Sequence, residues 1–163
     1  MVREPTGAVR ESTGMAREPM TTPAAMRETA NAPDIELMLP ARAENVAIVR
    51  HALGALGEVL EVDAQTLSDI RLAVTEACTN VVVHAYPDGR EGPLEVLATL
   101  AGEELTVVVR DEGEGITPRR DSPGLGLGLP LIASLAEKVQ LGHDARQRTE
   151  VRMTFSLAAL EEP

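Results

Sequence analysis

The amino-acid sequence predicts an α+β layered sandwich. The first observation is the order of the predicted elements: strand, two helices, hairpin, long loop, helix and hairpin, which differs from the alternating strand–helix–strand units of parallel sheets. The second is composition. Hydrophobic residues make up 44% of the 163 residues and aromatic residues only 1%, so a single core must be built from aliphatic side chains.

The first half of the folded region contains a predicted strand and two predicted helices. Residues 35–39 alternate between apolar and polar side chains, as a half-buried strand does. Apolar side chains then recur at helical spacing in a first helix: Val46, Val49, Leu53, Leu56 and Leu60. Asp63 offers a capping carboxylate to a second helix, which we expect to run to about residue 85 and to end at the Pro-Asp-Gly turn of residues 87–89.

The second half of the chain predicts two hairpins separated by a helix. Residues 94–100 and 105–110 form strands that turn at residues 102–103. A loop rich in glycine, proline and charge spans residues 112–126. The spacing then predicts a helix over residues 127–138, with Pro130 in the first turn, where proline is tolerated. Residues 139–157 are predicted to form two strands joined by a polar turn at residues 142–148.

Residues 1–33 differ in character from the rest of the chain. Arg-Glu pairs recur every seven residues, but the apolar positions of a coiled coil are missing and four prolines interrupt the segment. Such a segment cannot bury enough apolar surface to offset its ordering entropy. We therefore expect a disordered N-terminal extension over residues 1–33 and a folded domain over residues 34–160.

Composition excludes several classes of function. The formal charge of −11 repels nucleic-acid phosphates and anionic lipid, and the chain has almost no aromatic rings on which bases could stack. One cysteine, Cys78, excludes an internal disulfide and a cysteine-rich zinc site. No apolar run approaches the ~20 residues that span a membrane. We expect a cytoplasmic protein with no direct nucleic-acid or membrane partner.

The second predicted helix carries a row of polar side chains. Glu76, Asn80 and His84 are spaced i, i+4, i+8 and border the apolar stripe formed by Ile70, Ala73, Val74, Ala77 and Val81. This position suits either the solvated edge of an amphipathic helix or one wall of a pocket. Asparagine is a mediocre helix former, so helix propensity does not account for Asn80. For His84 we favour a hydrogen-bonded helix-end residue over a catalytic one.

Two glycine-containing stretches add to this pattern. Asp111 follows a buried strand and precedes Gly113 and Gly115, which is typical either of a flexible turn or of a fixed acceptor with backbone bent closely around a ligand. The alternating glycines 124, 126 and 128 open a helix, where free backbone N–H groups favour phosphate. A long polar loop precedes them, unlike the strand of a dinucleotide-binding fold.

In this order and spacing, the three stretches resemble the N, G1 and G2 boxes of the Bergerat-fold ATPases, which include gyrase and the histidine kinases. Residues 76–86, Glu-Ala-Cys-Thr-Asn-Val-Val-Val-His-Ala-Tyr, are similar more narrowly to the small serine-kinase anti-sigma factors. The resemblance covers residues 35–157. It implies a two-layer α/β sandwich with a mixed, mainly antiparallel sheet covered by helices on one face.

The resemblance also implies roles for individual residues. Asn80 would coordinate Mg²⁺ that bridges the phosphates of ATP, and Glu76 would be the general base that takes the proton of the attacking serine. Asp111 would accept a hydrogen bond from the adenine amino group, and Thr149 would help to hold the adenine end. The family has glycine before this threonine, whereas this chain has Arg148.

Further residues are implied in shaping the pocket and its lid. Gly113 and Gly115 would shape the pocket floor, and the glycine repeat would close the lid and cradle phosphate. That repeat admits two registers, so the place of Gly124 beside Gly126 and Gly128 is open. Within the lid, Arg119 and Arg120 either contact the γ-phosphate or an acidic partner, or form a solvated charged pair.

The resemblance implies an ATP- and Mg²⁺-dependent serine/threonine-protein kinase that also binds a sigma factor. Its substrate would be a STAS-domain anti-anti-sigma antagonist, and it would act as a homodimer. A second hypothesis is an ATP-gated binding module without significant kinase activity, in which nucleotide orders the lid and selects a partner. The catalytic half of a histidine kinase is disfavoured, because His51 lies inside the first helix of the domain itself.

Overall fold

A computed structural model describes residues 32–114 and 125–158 of the protein. Its elements follow one another along the chain as β1 (Ile35–Pro40), α1 (Ala43–Val59), α2 (Ala64–Asn80), a π-helical turn (Val81–Ala85), β2 (Pro93–Ala101), β3 (Glu104–Asp111), α3 (Leu125–Leu135), β4 (Lys138–His143) and β5 (Thr149–Ser156). The predicted disorder of residues 1–33 concerns a segment that, apart from residues 32 and 33, lies outside this range.

The five strands form one sheet in the order β1-β2-β3-β5-β4, and all four described pairings are antiparallel. The predicted α+β sandwich is confirmed, without a parallel pair among the described residues. Strand alternation divides the sheet into two faces. One face packs with the helices around buried residues such as Val96, Val109 and Met153, and the other carries charged residues such as Arg110 and Glu150.

The core is aliphatic apart from Phe155, as composition predicted. The stripe of α2 and the following turn is buried as expected: Ile70, Ala73, Val74, Ala77 and Val81. From α3, Ile132 completes the helical layer, and it is fully buried. Full burial of each such large aliphatic side chain stabilises the fold by about 1.5–3 kcal/mol. Helix α2 is therefore anchored from Ile70 to its C-terminal end, which fixes the side chains on the polar border of that part.

Cys78 is a fully buried residue of α2. Burial raises the pKa of its thiol to about 12, because the thiolate would be desolvated. We expect the native protein to resist labelling by dithiobis-nitrobenzoate at pH 8, and the denatured protein to react with one equivalent. Rapid labelling under native conditions would contradict this packing of α2.

The ends of α2 are set by local hydrogen bonds. The carboxylate of Asp63 accepts hydrogen bonds from the amides of Gln65 and Thr66, both at 3.0 Å, which confirms it as the N-cap. The sequence predicted α-helix to about residue 85, but the last turn, Val81–Ala85, is π-helical. Such turns interrupt α-helices frequently at functional sites, and this one begins directly after Asn80.

Helix α3 begins and ends earlier than the sequence predicted. It spans Leu125–Leu135, so Pro130 is its sixth residue and lies in the interior, where its missing N–H cannot bond to the carbonyl of Gly126. The prediction over residues 127–138 extended the helical spacing too far. Lys138 instead pairs with Thr154 in the sheet, and the amide of Glu137 bonds to the Thr154 carbonyl at 2.9 Å.

Candidate functional site

Glu76 and Asn80 face the first turn of α3. A Cβ built at Gly128 would lie 2.9 Å from Oε1 of Glu76 and 3.1 Å from Nδ2 of Asn80, closer than side chains normally approach. Glycine at this position therefore allows the backbone of α3 to contact both polar groups. The structure thus brings together two of the three stretches that the sequence singled out.

Asn80 is buried, with 5% of its surface exposed. Its Nδ2 has no hydrogen-bond partner, and it is the one buried side-chain nitrogen or oxygen without a partner in the described part of the chain. An unpaired buried polar group costs about 1–3 kcal/mol, so its presence calls for an explanation such as a ligand. Asn80 is therefore not part of a solvated helix edge, and that interpretation is wrong. Glu76, one helical turn earlier, is half-buried.

The segment after β3 packs against the π-helical turn. The amide of Glu114 donates to the carbonyl of Ala85 at 2.9 Å, and a Cβ at Gly113 would overlap that same carbonyl. Only glycine permits so close an approach, which accounts for Gly113. The second glycine, Gly115, lies outside the described residues. The end of α2 and the Asp111 stretch are thereby held together.

Asp111 and Thr149 are neighbours on the helix-facing side of the sheet. They lie directly opposite each other in the β3–β5 register, where Cβ atoms are about 4.5–5.5 Å apart. Both are buried, with 3% and 9% of their surfaces exposed. Oδ1 of Asp111 also accepts a hydrogen bond from the amide of Gly113 at 3.0 Å. The two residues that the resemblance places at the adenine end are therefore adjacent.

The glycine repeat opens α3, as expected. Gly126 and Gly128 are the second and fourth residues of the helix, so both lie in the first turn, whose backbone N–H groups have no partner within the helix. Gly124 and the two lid arginines, Arg119 and Arg120, lie outside the described residues. The positive end of the α3 dipole thus lies beside Glu76 and Asn80.

Arg148, where the family has glycine, belongs to a cluster of ion pairs on the other face of the sheet. Its guanidinium contacts Oδ2 of Asp144 at 2.7 Å and Oε2 of Glu95 at 3.0 Å. Arg110 shares the same Glu95 oxygen at 3.1 Å and pairs with Glu150 at 2.7 Å. Arg148 therefore extends away from the face that carries Asp111 and Thr149, and it does not cover these two residues.

The ion-pair cluster predicts a dependence of stability on pH. Burial opposes ionisation of Asp144, but hydrogen bonds from Arg148 outweigh it and lower the pKa from 3.8 to about 2. A lowered folded pKa stabilises the protein above pH 4, and this contribution is lost as the pH falls towards 2. We expect Asp144→Asn to lower Tm at pH 7 and to match the parent protein near pH 2.

Thermal melting between pH 7 and pH 2 measures this effect. Glu91→Gln is the matched control, because its ion pair with Arg42 is exposed and such pairs contribute little to stability. A Tm difference for Asp144→Asn that stayed constant over the whole range would contradict the expectation.

Residues 32–114 and 125–158 contain no cluster of three or more His, Cys, Asp or Glu side chains suited to a metal ion. A magnesium site needs no such cluster, since Mg²⁺ is commonly held by one or two side chains together with substrate phosphates and waters. None of the helices in these ranges is both long and apolar enough to span a membrane.

The fold and the site define a nucleotide-binding domain of the histidine-kinase type. Residues 39–155 match the family described as the histidine kinase-like ATPase domain. This match covers most of the chain, so the protein belongs to the histidine kinase-like ATPase family. The resemblance to Bergerat-fold ATPases is confirmed.

Within this family, the chain is similar to serine kinases and anti-sigma factors. The serine-protein kinase RsbW of Halalkalibacterium halodurans is 33% identical over 126 residues, covering 68% of this chain and 76% of that relative. The anti-sigma F factor of Clostridium acetobutylicum is 27% identical over 139 residues, covering 78% and 96%. These relatives confirm the narrower resemblance to serine-kinase anti-sigma factors.

Solved structures agree with the fold. The RsbU and RsbW domains of Rv1364c from Mycobacterium tuberculosis match with a TM-score of 0.60 and 25% identity over 76% of this chain. The match covers 31% of that longer chain, so this protein spans about a third of it. The SiaB–SiaC complex from Pseudomonas aeruginosa matches with a TM-score of 0.55 at 15% identity, over 84% of this chain and 99% of that one, a likeness of fold alone.

Proposed function

We propose that the protein is an ATP- and Mg²⁺-dependent serine/threonine-protein kinase that acts as an anti-sigma factor. It phosphorylates a STAS-domain anti-anti-sigma antagonist on serine and sequesters a sigma factor, acting as a homodimer. The kinase domain comprises residues 34–160, preceded by the extension of residues 1–33. The names of its relatives, serine-protein kinase and anti-sigma F factor, support this proposal.

The observation that carries the proposal is the buried, unpartnered amide of Asn80 against the first turn of α3. The buried Nδ2 of Asn80 and the free backbone N–H groups at the start of α3 are all hydrogen-bond donors, and together they suit an anion. The oxygens of a triphosphate would supply acceptors for both sets of donors. Oδ1 of the same amide is the ligand type that Mg²⁺ prefers. Asn80 would therefore hold the metal and a phosphate oxygen, and the metal supplies neutralisation of phosphate charge when bound.

The other residues of the site take distinct parts in the proposed reaction. Glu76 accepts the proton of the substrate serine as the serine oxygen bonds to the γ-phosphorus, and the bond from that phosphorus to the departing ADP breaks. Asp111 and Thr149 hold the adenine end from the sheet. Gly113 and Gly115 would shape the pocket floor. Gly126 and Gly128, with Gly124 in one of the two registers, would close the lid and cradle phosphate, and Arg119 and Arg120 would contact the γ-phosphate.

The acidic charge of the chain agrees with a basic partner surface. A net charge of −11 favours approach of a basic region of a sigma factor and disfavours approach to nucleic acid. The antagonist is recognised separately, through its serine at Glu76. The protein is proposed to act in the cytoplasm.

Transfer of label from γ-labelled ATP to a purified STAS-domain protein tests the proposal. We expect Mg²⁺-dependent labelling of the STAS protein on serine, together with heat of binding when ATP and Mg²⁺ are titrated by calorimetry. ATP binding without transfer to any STAS partner would instead support the ATP-gated binding module. Absence of nucleotide binding would contradict both functions.

A further inference from the structure

Tyr86 joins the ends of two neighbouring strands beside the proposed adenine site. Its hydroxyl donates a hydrogen bond to the carbonyl of Pro93, 2.6 Å away, and accepts one from the amide of Glu112 at 2.9 Å. Pro93 is the first residue of β2, and Glu112 directly follows Asp111, the last residue of β3. A single phenol oxygen therefore bonds to both strands at the point where their pairing ends.

The register of the two strands shows what these hydrogen bonds replace. Leu94 lies opposite Asp111 in the antiparallel β2–β3 pair, so Pro93 and Glu112 are the residues that the ladder would pair next. The phenol oxygen lies between that carbonyl and that amide and bonds to each of them. It thereby acts as a wedge that ends the ladder immediately after Asp111 while leaving neither backbone group unpaired.

Beyond this wedge the chain turns away from the sheet. The amide of Gly113 bonds back to Oδ1 of Asp111 at 3.0 Å, and the amide of Glu114 bonds to the carbonyl of Ala85 at 2.9 Å. These bonds require residues 112–114 to leave β2 at once. The direction of the chain after Asp111, and with it the placement of the Asp111 carboxylate, therefore depends on where the ladder stops.

The ring of Tyr86 is itself held in place. It packs against Gly92, where a Cβ would overlap the ring, and against the edge of the core. Burial raises the pKa of its hydroxyl above the ordinary tyrosine value. The wedge is rigid because both the ring and the hydroxyl have fixed partners.

We infer that Tyr86 is a positioning residue for recognition of the adenine base, acting through Asp111. By ending the β2–β3 ladder at that residue, its hydroxyl aims the carboxylate at the amino group that distinguishes adenine from guanine. This inference rests on the proposed function, because it requires the base of ATP to lie at Asp111. Phenylalanine at this position would keep the ring but allow Pro93 and Glu112 to pair directly, which would redirect residues 112–114.

Nucleotide discrimination in Tyr86→Phe tests the inference. The dissociation constants of ADP and GDP are measured by calorimetry for the parent protein, Tyr86→Phe, Asp111→Asn and the double variant. We expect the preference for ADP over GDP to fall about fivefold in Tyr86→Phe, on the scale of one net hydrogen bond. In the Asp111→Asn background, Tyr86→Phe should change the preference no further, since both changes act on one contact.

The ratio of the two constants separates positioning from a merely structural role. An unfolded fraction affects both titrations of one preparation equally, so a structural role would lower Tm or weaken both nucleotides while leaving the ratio unchanged. An unchanged ratio in Tyr86→Phe would overturn the inference alone. A parent protein that binds ADP and GDP equally would overturn the placement of adenine at Asp111, and the inference with it.

Discussion

Glu76→Gln is expected to abolish phosphate transfer to the STAS-domain substrate while nucleotide binding persists. A general base contributes about a hundredfold to ten-thousandfold to the rate, and glutamine keeps the size of the side chain but cannot accept the proton. Glu76 of α2 lies beside Gly128, which is in the first turn of α3. Glu76 therefore borders the region proposed for the γ-phosphate. The initial rate of labelling from γ-labelled ATP measures the loss.

The control for this variant is Glu58→Gln, which changes an exposed glutamate near the end of α1 and should leave transfer unchanged. Calorimetry with ADP and Mg²⁺ should show a dissociation constant within about twofold of the parent value, since the proton is accepted only during transfer. Labelling by Glu76→Gln at the parent rate would remove Glu76 from the reaction. Loss of ADP binding in this variant would indicate a binding role instead.

Gly128→Ala is expected to weaken nucleotide binding about tenfold to a hundredfold without destabilising the protein. The new Cβ would lie 2.9 Å from Oε1 of Glu76 and 3.1 Å from Nδ2 of Asn80, so α3 or these side chains must shift. Loss of one hydrogen bond to a charged phosphate costs about 1.5–3 kcal/mol, which corresponds to roughly a tenfold to hundredfold weaker dissociation constant. Alanine is a better helix former than glycine by about 1 kcal/mol, which offsets the crowding in the stability measurement.

Gly54→Ala provides the matched control within a helix. This glycine lies inside α1, and a Cβ there would have its nearest neighbour, Cζ of Arg71, at 4.0 Å, which is ordinary contact. It should gain the same helix preference and bind a non-hydrolysable ATP analogue like the parent protein. Unaltered affinity for this analogue in Gly128→Ala would show that the triphosphate does not occupy the space between α2 and the first turn of α3.

Several features of the site followed from local sequence alone. The stripe of α2 has helical spacing, and Asp63 has the chemistry of an N-cap, so both the helix and its start were predicted. The family resemblance assigned both Asp111 and Thr149 to the adenine end, and the strand register of the structure places them opposite each other. The π-helical turn was not predicted, because residues 81–85 have no local pattern that distinguishes one helical spacing from the other.

The role of Tyr86 was missed because its partners, Pro93 and Glu112, lie 7 and 26 residues further along the chain. A possible sequence signal was that it is the only tyrosine in a chain with a single phenylalanine and no tryptophan. The ion pair between Arg148 and Glu95 could not be predicted from the sequence either. The two side chains meet only because β2 and β5 lie on either side of β3 in the sheet.

By itself, the sequence determined which segments become helices and strands, the aliphatic core, and which short stretches carry polar side chains beside apolar ones. These properties depend on periodicity and capping, which act over a few residues. Only the tertiary structure decided that the Asn80 amide is buried without a partner, that Gly128 lies against it, and that Tyr86 ends a strand ladder. Burial and pairing between distant segments are set by the packing of the whole sheet and its helices, which no local pattern encodes.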